Sequence, residues 1–203
     1  IIIDEFTVAV NLSTPSGTVV QGVAAPVPGG FTAFSVTNNS GFDIVSISTT
    51  TFPGIYTFHS GSGINPNLAT ITWDGDNNNT VNTTGLAGFD LTGGGTNNTF
   101  AGVLGGDLPG GGSMTINVWT GASVLSTATI PIPSGSLPPF SVPFSSFSGS
   151  PNFANVGAIQ VVFSTITNED FQFDAFRVTG PTAAVPDPSS LSLLGLGLAL
   201  GLR

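Results

Sequence analysis

Cysteine and lysine are both absent from the sequence, and Arg177 and Arg203 are its only basic side chains. Without cysteine there are no disulfides and no thiolate metal sites, so the redox compartment leaves no mark on the chain. Without lysine there are no isopeptide cross-links, and the glycine runs at 93–95 and 110–112 are turns rather than Walker-type phosphate loops. Eleven acids against two arginines give a net charge of −9. Such a chain has little with which to neutralise phosphates, so nucleic acids and anionic membranes are poor partners. Charged residues make up 6 % of the chain, against roughly 25 % in ordinary soluble proteins. The surface therefore has to be built from Ser, Thr, Asn and Gly.

Catalytic groups are also scarce. His59 is the single histidine and no G-x-S-x-G stretch occurs, so a Ser-His-Asp triad would have to be assembled around one ring. His59 is expected to be a polar residue at a strand end. Glu169 and Asp170 would need a further acid to form a glycosidase pair and are expected to be solvated loop acids. The chain is read as non-enzymatic.

What is present is alternation. Short runs of β-branched and aromatic residues recur at 1–10, 18–24, 31–36, 44–50, 54–58, 68–73, 89–91, 99–104, 114–119, 124–130, 156–164 and 171–178, separated by Gly-, Pro- and Asn-rich turns. About a dozen strands with no helical periodicity predict an all-β fold, an antiparallel β-sandwich or jelly roll. The expected organisation is a sandwich domain over 1–180, a Pro/Ser linker over 181–190 and an apolar tail over 191–203.

In the tail, Leu194, Leu196, Leu198, Leu200 and Leu202 alternate with Gly or Ala. A period of two places all five on one face of an extended strand. Fully buried, that face would contribute about 8–15 kcal/mol before ordering entropy. Residues 191–202 fall well short of the ~20 needed for a helical membrane span, so no stable span is expected. Ile1, Ile2 and Ile3 form a second apolar terminus, read either as a strand of its own domain or as a strand for insertion into a neighbour.

Several constellations are candidates for binding. Trp73, Trp119 and Tyr56 are candidate sugar-stacking rings, Trp119 having opposite parity to Met114, Ile116 and Val118. Asp74, Asp76 and Asn78 have the i, i+2, i+4 spacing that opens a calcium loop, but the rest of that motif is missing and a polar turn is the simpler reading. Asp174 shares parity with Phe176 and Val178 and is expected to face inward with some partner. Glycosylation sequons begin at Asn11, Asn38, Asn78, Asn82 and Asn97.

Two resemblances follow from these residues. Val185-Pro186-Asp187-Pro188-Ser189-Ser190-Leu191, with the Leu/Gly run and Arg203 behind it, resembles a PEP-CTERM sorting tail. That resemblance implies an exported bacterial protein destined for the cell surface or extracellular matrix. No charged leader precedes Ile1, as expected if an export signal has been removed or was never included. In the body, Asp4-Glu5-Phe6, Phe144 to Phe147, Phe153 to Ile159 and Phe171 to Val178 are similar to strands of galactose-binding-like jelly rolls, including several carbohydrate-binding modules. That resemblance implies a structural calcium held by Asp4 or Glu5 together with Asp174; no other cofactor is expected.

The leading functional expectation is a structural subunit of an extracellular filament or matrix, a homo-oligomer built by donating a terminal strand to the next copy. The alternative is a surface-anchored module that binds exopolysaccharide.

Overall fold

The computed structural model describes residues 1–39, 44–52, 54–60, 66–78, 80–107, 112–121, 124–135, 137–165 and 168–181. The sorting motif at Pro186, Asp187 and Pro188 and the five tail leucines lie outside the described residues.

Thirteen strands form two antiparallel sheets. In chain order they are β1 (Ile2–Asp4), β2 (Asn11–Thr14), β3 (Gly17–Ala24), β4 (Phe31–Asn38), β5 (Val45–Phe52), β6 (Ile55–His59), β7 (Asn67–Trp73), β8 (Thr99–Gly106), β9 (Gly112–Thr120), β10 (Val124–Pro131), β11 (Pro139–Pro143), β12 (Val156–Thr165) and β13 (Asp170–Thr179). One sheet runs β11-β8-β13-β6-β5-β2, with β1 also on β13; the other runs β10-β9-β12-β7-β4-β3. The expected all-β jelly-roll sandwich is the fold found.

Alternation within each strand explains why the sheets face one another. Tyr56 and Phe58 of β6, Phe100 and Leu104 of β8, and Phe171 and Phe173 of β13 are buried against Ile71 and Trp73 of β7, Met114 to Val118 of β9 and Ile159 to Phe163 of β12. Between them Thr57, Thr72, Thr115, Asn117, Gln160 and Gln172 supply polar positions on the outer faces. Aromatic contacts knit the layer: Phe163 and Phe171 meet across it at 4.3 Å between ring centroids, and Trp73 stacks on Phe176 at 5.3 Å.

Three expectations about the strands are corrected. The opening run is not one strand: the Asp4 carboxylate accepts the Phe6 amide at 2.7 Å, Phe6 takes a φ of 50°, and the chain turns before β2. Residues 89–91 make only a single bridge, Phe89 to Val156, because Ala87 and Gly88 both have positive φ and divert the chain immediately before it. Conversely β11 was hidden by its bounding prolines, which an edge strand accommodates because one of its sides carries no ladder.

Strand β13 carries the decisive irregularity. Its register with β8 shifts between Asp174 and Arg177, and Ala175 sits there with φ 53°. This bulge inverts the alternation, so Phe171, Phe173, Phe176 and Val178 all point into the core although they do not share one parity. Asp174 therefore lies outward with Asp170 and Gln172, not inward as its sequence parity predicted. β6 occupies the edge of β13 at 170–173 and β1 takes over at Phe176 and Arg177.

Tyr56 is fully buried among Phe6, Phe34, Phe163 and Phe171, and its hydroxyl has no hydrogen-bond partner among the described residues. Burial pushes the phenol well above its usual pKa. Since an unsatisfied buried hydroxyl costs about 1–3 kcal/mol, Tyr56→Phe is expected to raise the unfolding free energy by about 1 kcal/mol in urea titrations. A loss of that size would show instead that the hydroxyl is bonded.

Candidate functional site

Outward residues of the seven-stranded sheet line a groove of about 580 Å³, within the roughly 300–1,000 Å³ usual for ligand sites. Strand pairing arranges its floor in two lateral rows. In the first, Ser46 of β5 lies opposite His59 of β6, which lies opposite Asp170 of β13. In the second, Asn11 of β2, Ser48, Thr57, Gln172 and Gly105 of β8 follow one another across five strands. Gly105 is buried, so the open part of that row runs from Asn11 to Gln172, three strand spacings of ~4.8 Å or ~14 Å, and two residues of strand separate the rows by ~7 Å.

On the β8 side the lack of a side chain at Gly105 lets neighbouring backbone close over the strand, and the glycine is buried. A Cβ there would lie 2.1 Å from the Gly135 carbonyl oxygen and 2.6 Å from the Leu137 amide nitrogen, so the segment after β10 packs directly onto the strand and walls the groove. Phe52, at the far end of β5, lines the groove with about half of its surface exposed (49 %).

One polar cluster is held in place. The His59 Nδ1–H donates to Asp170 Oδ1 at 2.7 Å, and the two side chains are 57 % and 49 % exposed. Asp170 Oδ1 also accepts the Ser60 amide at 3.2 Å, while the Asp170 amide donates to Asp107 Oδ1 at 3.0 Å. Histidine oriented by a carboxylate is one half of a hydrolytic triad, and Ser46 stands in register on the other side of the ring. Among the described residues, however, Ser46 and His59 share no hydrogen bond. The nearby Gly106 and Gly135 amides are already donated to Pro133 and Gly106 carbonyls, so neither forms an oxyanion hole. The arrangement suits hydrogen bonding to hydroxyl groups better than acyl transfer.

The residues singled out by sequence are distributed as follows. Trp73 and Tyr56 are 0 % exposed, which corrects their sugar-stacking reading: both rings belong to the core. Trp119 is half-buried on the outer face of the other sheet, opposite Leu125 of β10, and is not part of the groove. Ile2–Asp4 is engaged in its own sheet, the Ile1 ammonium donates to the Val178 carbonyl at 2.9 Å and Ile3 is fully buried, so Ile1 to Ile3 form a strand of their own domain rather than a free donor.

Asp4 is buried, and its Oδ2 accepts Trp73 Nε1–H at 2.9 Å and the Thr32 hydroxyl at 3.0 Å. Those donors come from β7 and β4, so the carboxylate ties one sheet to the other. Glu5 is exposed and its charge is felt at Asp174. The three acids expected to share a calcium thus have different surroundings. Asp74 accepts the Asp76 and Asn82 amides at 3.1 and 2.7 Å, Asp76 accepts the Asn82 side-chain amide at 3.1 Å, and Asn78 accepts the Thr80 amide at 2.8 Å. These oxygens hold the loop's own chain. Among the described residues no three His, Cys, Asp or Glu side chains are arranged to hold a metal ion. Of the sequons, Asn38 is buried, its amide donating to the Thr14 and Pro15 carbonyls, which leaves it inaccessible to a glycan.

Sequence reading missed the groove itself. Asp107, Ser46, Ser48, Thr57 and Gln172 are unremarkable in the chain, Asn11 stands out only as a sequon, and His59 and Asp170 are 111 positions apart. The only signal was alternation, which marks outward residues but does not say which strands adjoin.

No protein-family profile matches the chain, and no curated protein matches it. Among solved structures it is similar to the family 11 carbohydrate-binding module of the cellulosomal cellulase Lic26A-Cel5E of Clostridium thermocellum, with 13 % identity over 89 % of this chain and 94 % of that one and a TM-score of 0.46. A similar match is to TmCBM61, solved with β-1,4-galactotriose, with 8 % identity, 87 % and 91 % coverage and a TM-score of 0.39. An agarase, AgWH50C, matches with 12 % identity over 73 % of this chain but 24 % of its own length, at a TM-score of 0.48. The likeness is one of overall architecture, and the functional reading rests on the groove.

Burial raises the carboxyl pKa of Asp4, Asp74 and Asp174 above the ordinary 3.8, against the lowering effect of their hydrogen bonds. Asp90, exposed, is shifted down, chiefly by the Thr92 hydroxyl. Groups with raised folded values hold protons more tightly in the folded chain, so their stabilisation is complete below the ordinary value and is lost as pH rises through the raised ones. The thermal midpoint is accordingly expected to be higher near pH 4 than near pH 7; a midpoint that falls steadily toward acid would contradict this assignment.

Proposed function

We propose that the chain is a non-catalytic polysaccharide-binding domain of an exported bacterial surface or matrix protein. The observation that carries this reading is the two-row groove floor. A strand of linked sugar rings presents hydroxyls along its length, and Ser, Thr, Asn and Gln side chains in register can both donate to and accept from them. The ~14 Å of open row accommodates more than one ring, and the exposed ring of Phe52 offers an apolar face for one of them. The anchored His59 and Asp170 side chains add pre-organised hydrogen-bonding groups, which lowers the ordering cost of binding.

The filament reading has less support. Its N-terminal donor strand is committed to its own sheet, and its C-terminal donor lies outside the described residues. Export and surface destiny rest on the resemblance of residues 185–203 to a sorting tail.

Retention on insoluble polysaccharides, followed by titration with soluble fragments of whichever is bound, tests the proposal. Phe52→Ala and Gln172→Ala are each expected to weaken binding by about five- to tenfold, corresponding to roughly 1 kcal/mol for a lost stacking or hydrogen-bonding contact. Trp119→Ala is expected to leave it unchanged. Binding abolished by Trp119→Ala and untouched by the groove variants would move the site to the opposite sheet.

A further inference from the structure

We propose that the groove selects an uncharged polysaccharide strand and rejects polyanionic ones, and that Asp107 and Asp170 make this selection. The inference rests on the groove being the saccharide site argued above. Among the described residues its lining contains these two carboxylates, and the imidazole of His59 is the only group there able to carry positive charge. Arg177, the one arginine among the described residues, leaves the same strand beyond the Ala175 bulge and does not line the groove.

The two carboxylates cannot easily turn away from an approaching anion. Asp170 is held by His59 Nδ1 at 2.7 Å and the Ser60 amide at 3.2 Å, and Asp107 by the Asp170 amide at 3.0 Å. Swinging either aside would break these bonds and leave the donors unpaired. A ligand on the groove floor lies within a Debye length of both charges at physiological salt, ~8 Å, in a chain whose net charge is −9. The rest of the floor is neutral: Ser46 and Gln172 can both donate and accept, the Thr57 hydroxyl, which donates to the Ser48 carbonyl at 2.9 Å, is left to accept, and the Ser48 hydroxyl, which accepts the Thr50 and Thr51 amides, is left to donate. A ring bearing only hydroxyls meets partners everywhere, whereas a ring bearing a carboxylate or sulfate meets a fixed like charge. This is specificity by repulsion of the wrong ligand. The same contact orients His59: with Nδ1–H given to Asp170, the Nε2 lone pair is left to accept a ligand hydroxyl.

The test uses the full chain and pairs of soluble polymers that share a backbone and differ in charge: the hydroxyethyl and carboxymethyl derivatives of one glucan and of one galactan. Affinity electrophoresis and calorimetry are run at low and high salt. The hydroxyethyl form of at least one backbone is expected to bind about tenfold more tightly than its carboxymethyl partner at low salt, with the ratio collapsing toward unity near 0.5 M salt. Asp107→Asn is expected to lower that ratio about threefold at low salt. Equal affinity for both forms, or a ratio indifferent to salt and to Asp107→Asn, would overturn the selection while leaving the saccharide site standing. Binding to neither backbone, nor to any insoluble polysaccharide, would overturn the saccharide reading and this inference with it.

Discussion

The bulge at Ala175 is the constraint on which both the core and the groove depend. β13 is the strand around which its sheet is assembled, with β8 along one edge and β6 and then β1 along the other. Without an extra residue, Phe171 and Phe173 could not share the core with Phe176 and Val178, since strict alternation would turn one pair out into water. Turning one pair out would forfeit roughly 3–6 kcal/mol of burial, more than the about 1–3 kcal/mol of backbone strain at one left-handed residue. The core therefore wins, and the bulge is retained. Its consequence on the outer face is that Asp170, Gln172 and Asp174 can stay outward while Phe176 and Val178 still face the core.

The two sheets are joined by more than apolar contact. Asp4 reaches from β1 to the Trp73 indole and the Thr32 hydroxyl on the opposite sheet, so a buried carboxylate fixes how the layers sit on each other. Its pKa is raised by burial in spite of these donors. Specific hydrogen bonds from both sheets hold a group that desolvation alone would exclude. In a chain with so little charge, raised carboxyls such as those of Asp4 and Asp74 make a few buried acids a main source of pH-dependent stability.

Much of the fold was legible in the sequence. Ile116 and Val118, or Val36 and Phe34, declare strands by composition and strands by alternation, and the Gly- and Asn-rich turns mark where they end. What was illegible had local causes. Asp174 was misplaced because a bulge at an ordinary alanine has no compositional signature. Tyr56 and Trp73 were offered as sugar platforms because a sequence does not distinguish an aromatic ring at the centre of a sandwich from one at its edge. The groove was hidden for a deeper reason: Asn11, Ser48, Thr57 and Gln172 become neighbours only through the strand order β2-β5-β6-β13, which no local pattern encodes. His59 was read as a polar residue at a strand end and Asp170, with Glu169, as a solvated loop acid, and only the β6–β13 register makes His59 and Asp170 a pair.

The central claim is that ligand recognition resides on the outer face of β5, β6 and β13. Backbone-amide NMR of the isotope-labelled chain, titrated with a soluble oligosaccharide that it retains, tests it most directly. The account predicts perturbations centred on Ser46, Ser48, Thr57, His59, Asp170 and Gln172, with Trp119 and Leu125 unmoved. Perturbations centred on Trp119 and Leu125, with the groove residues silent, would contradict it.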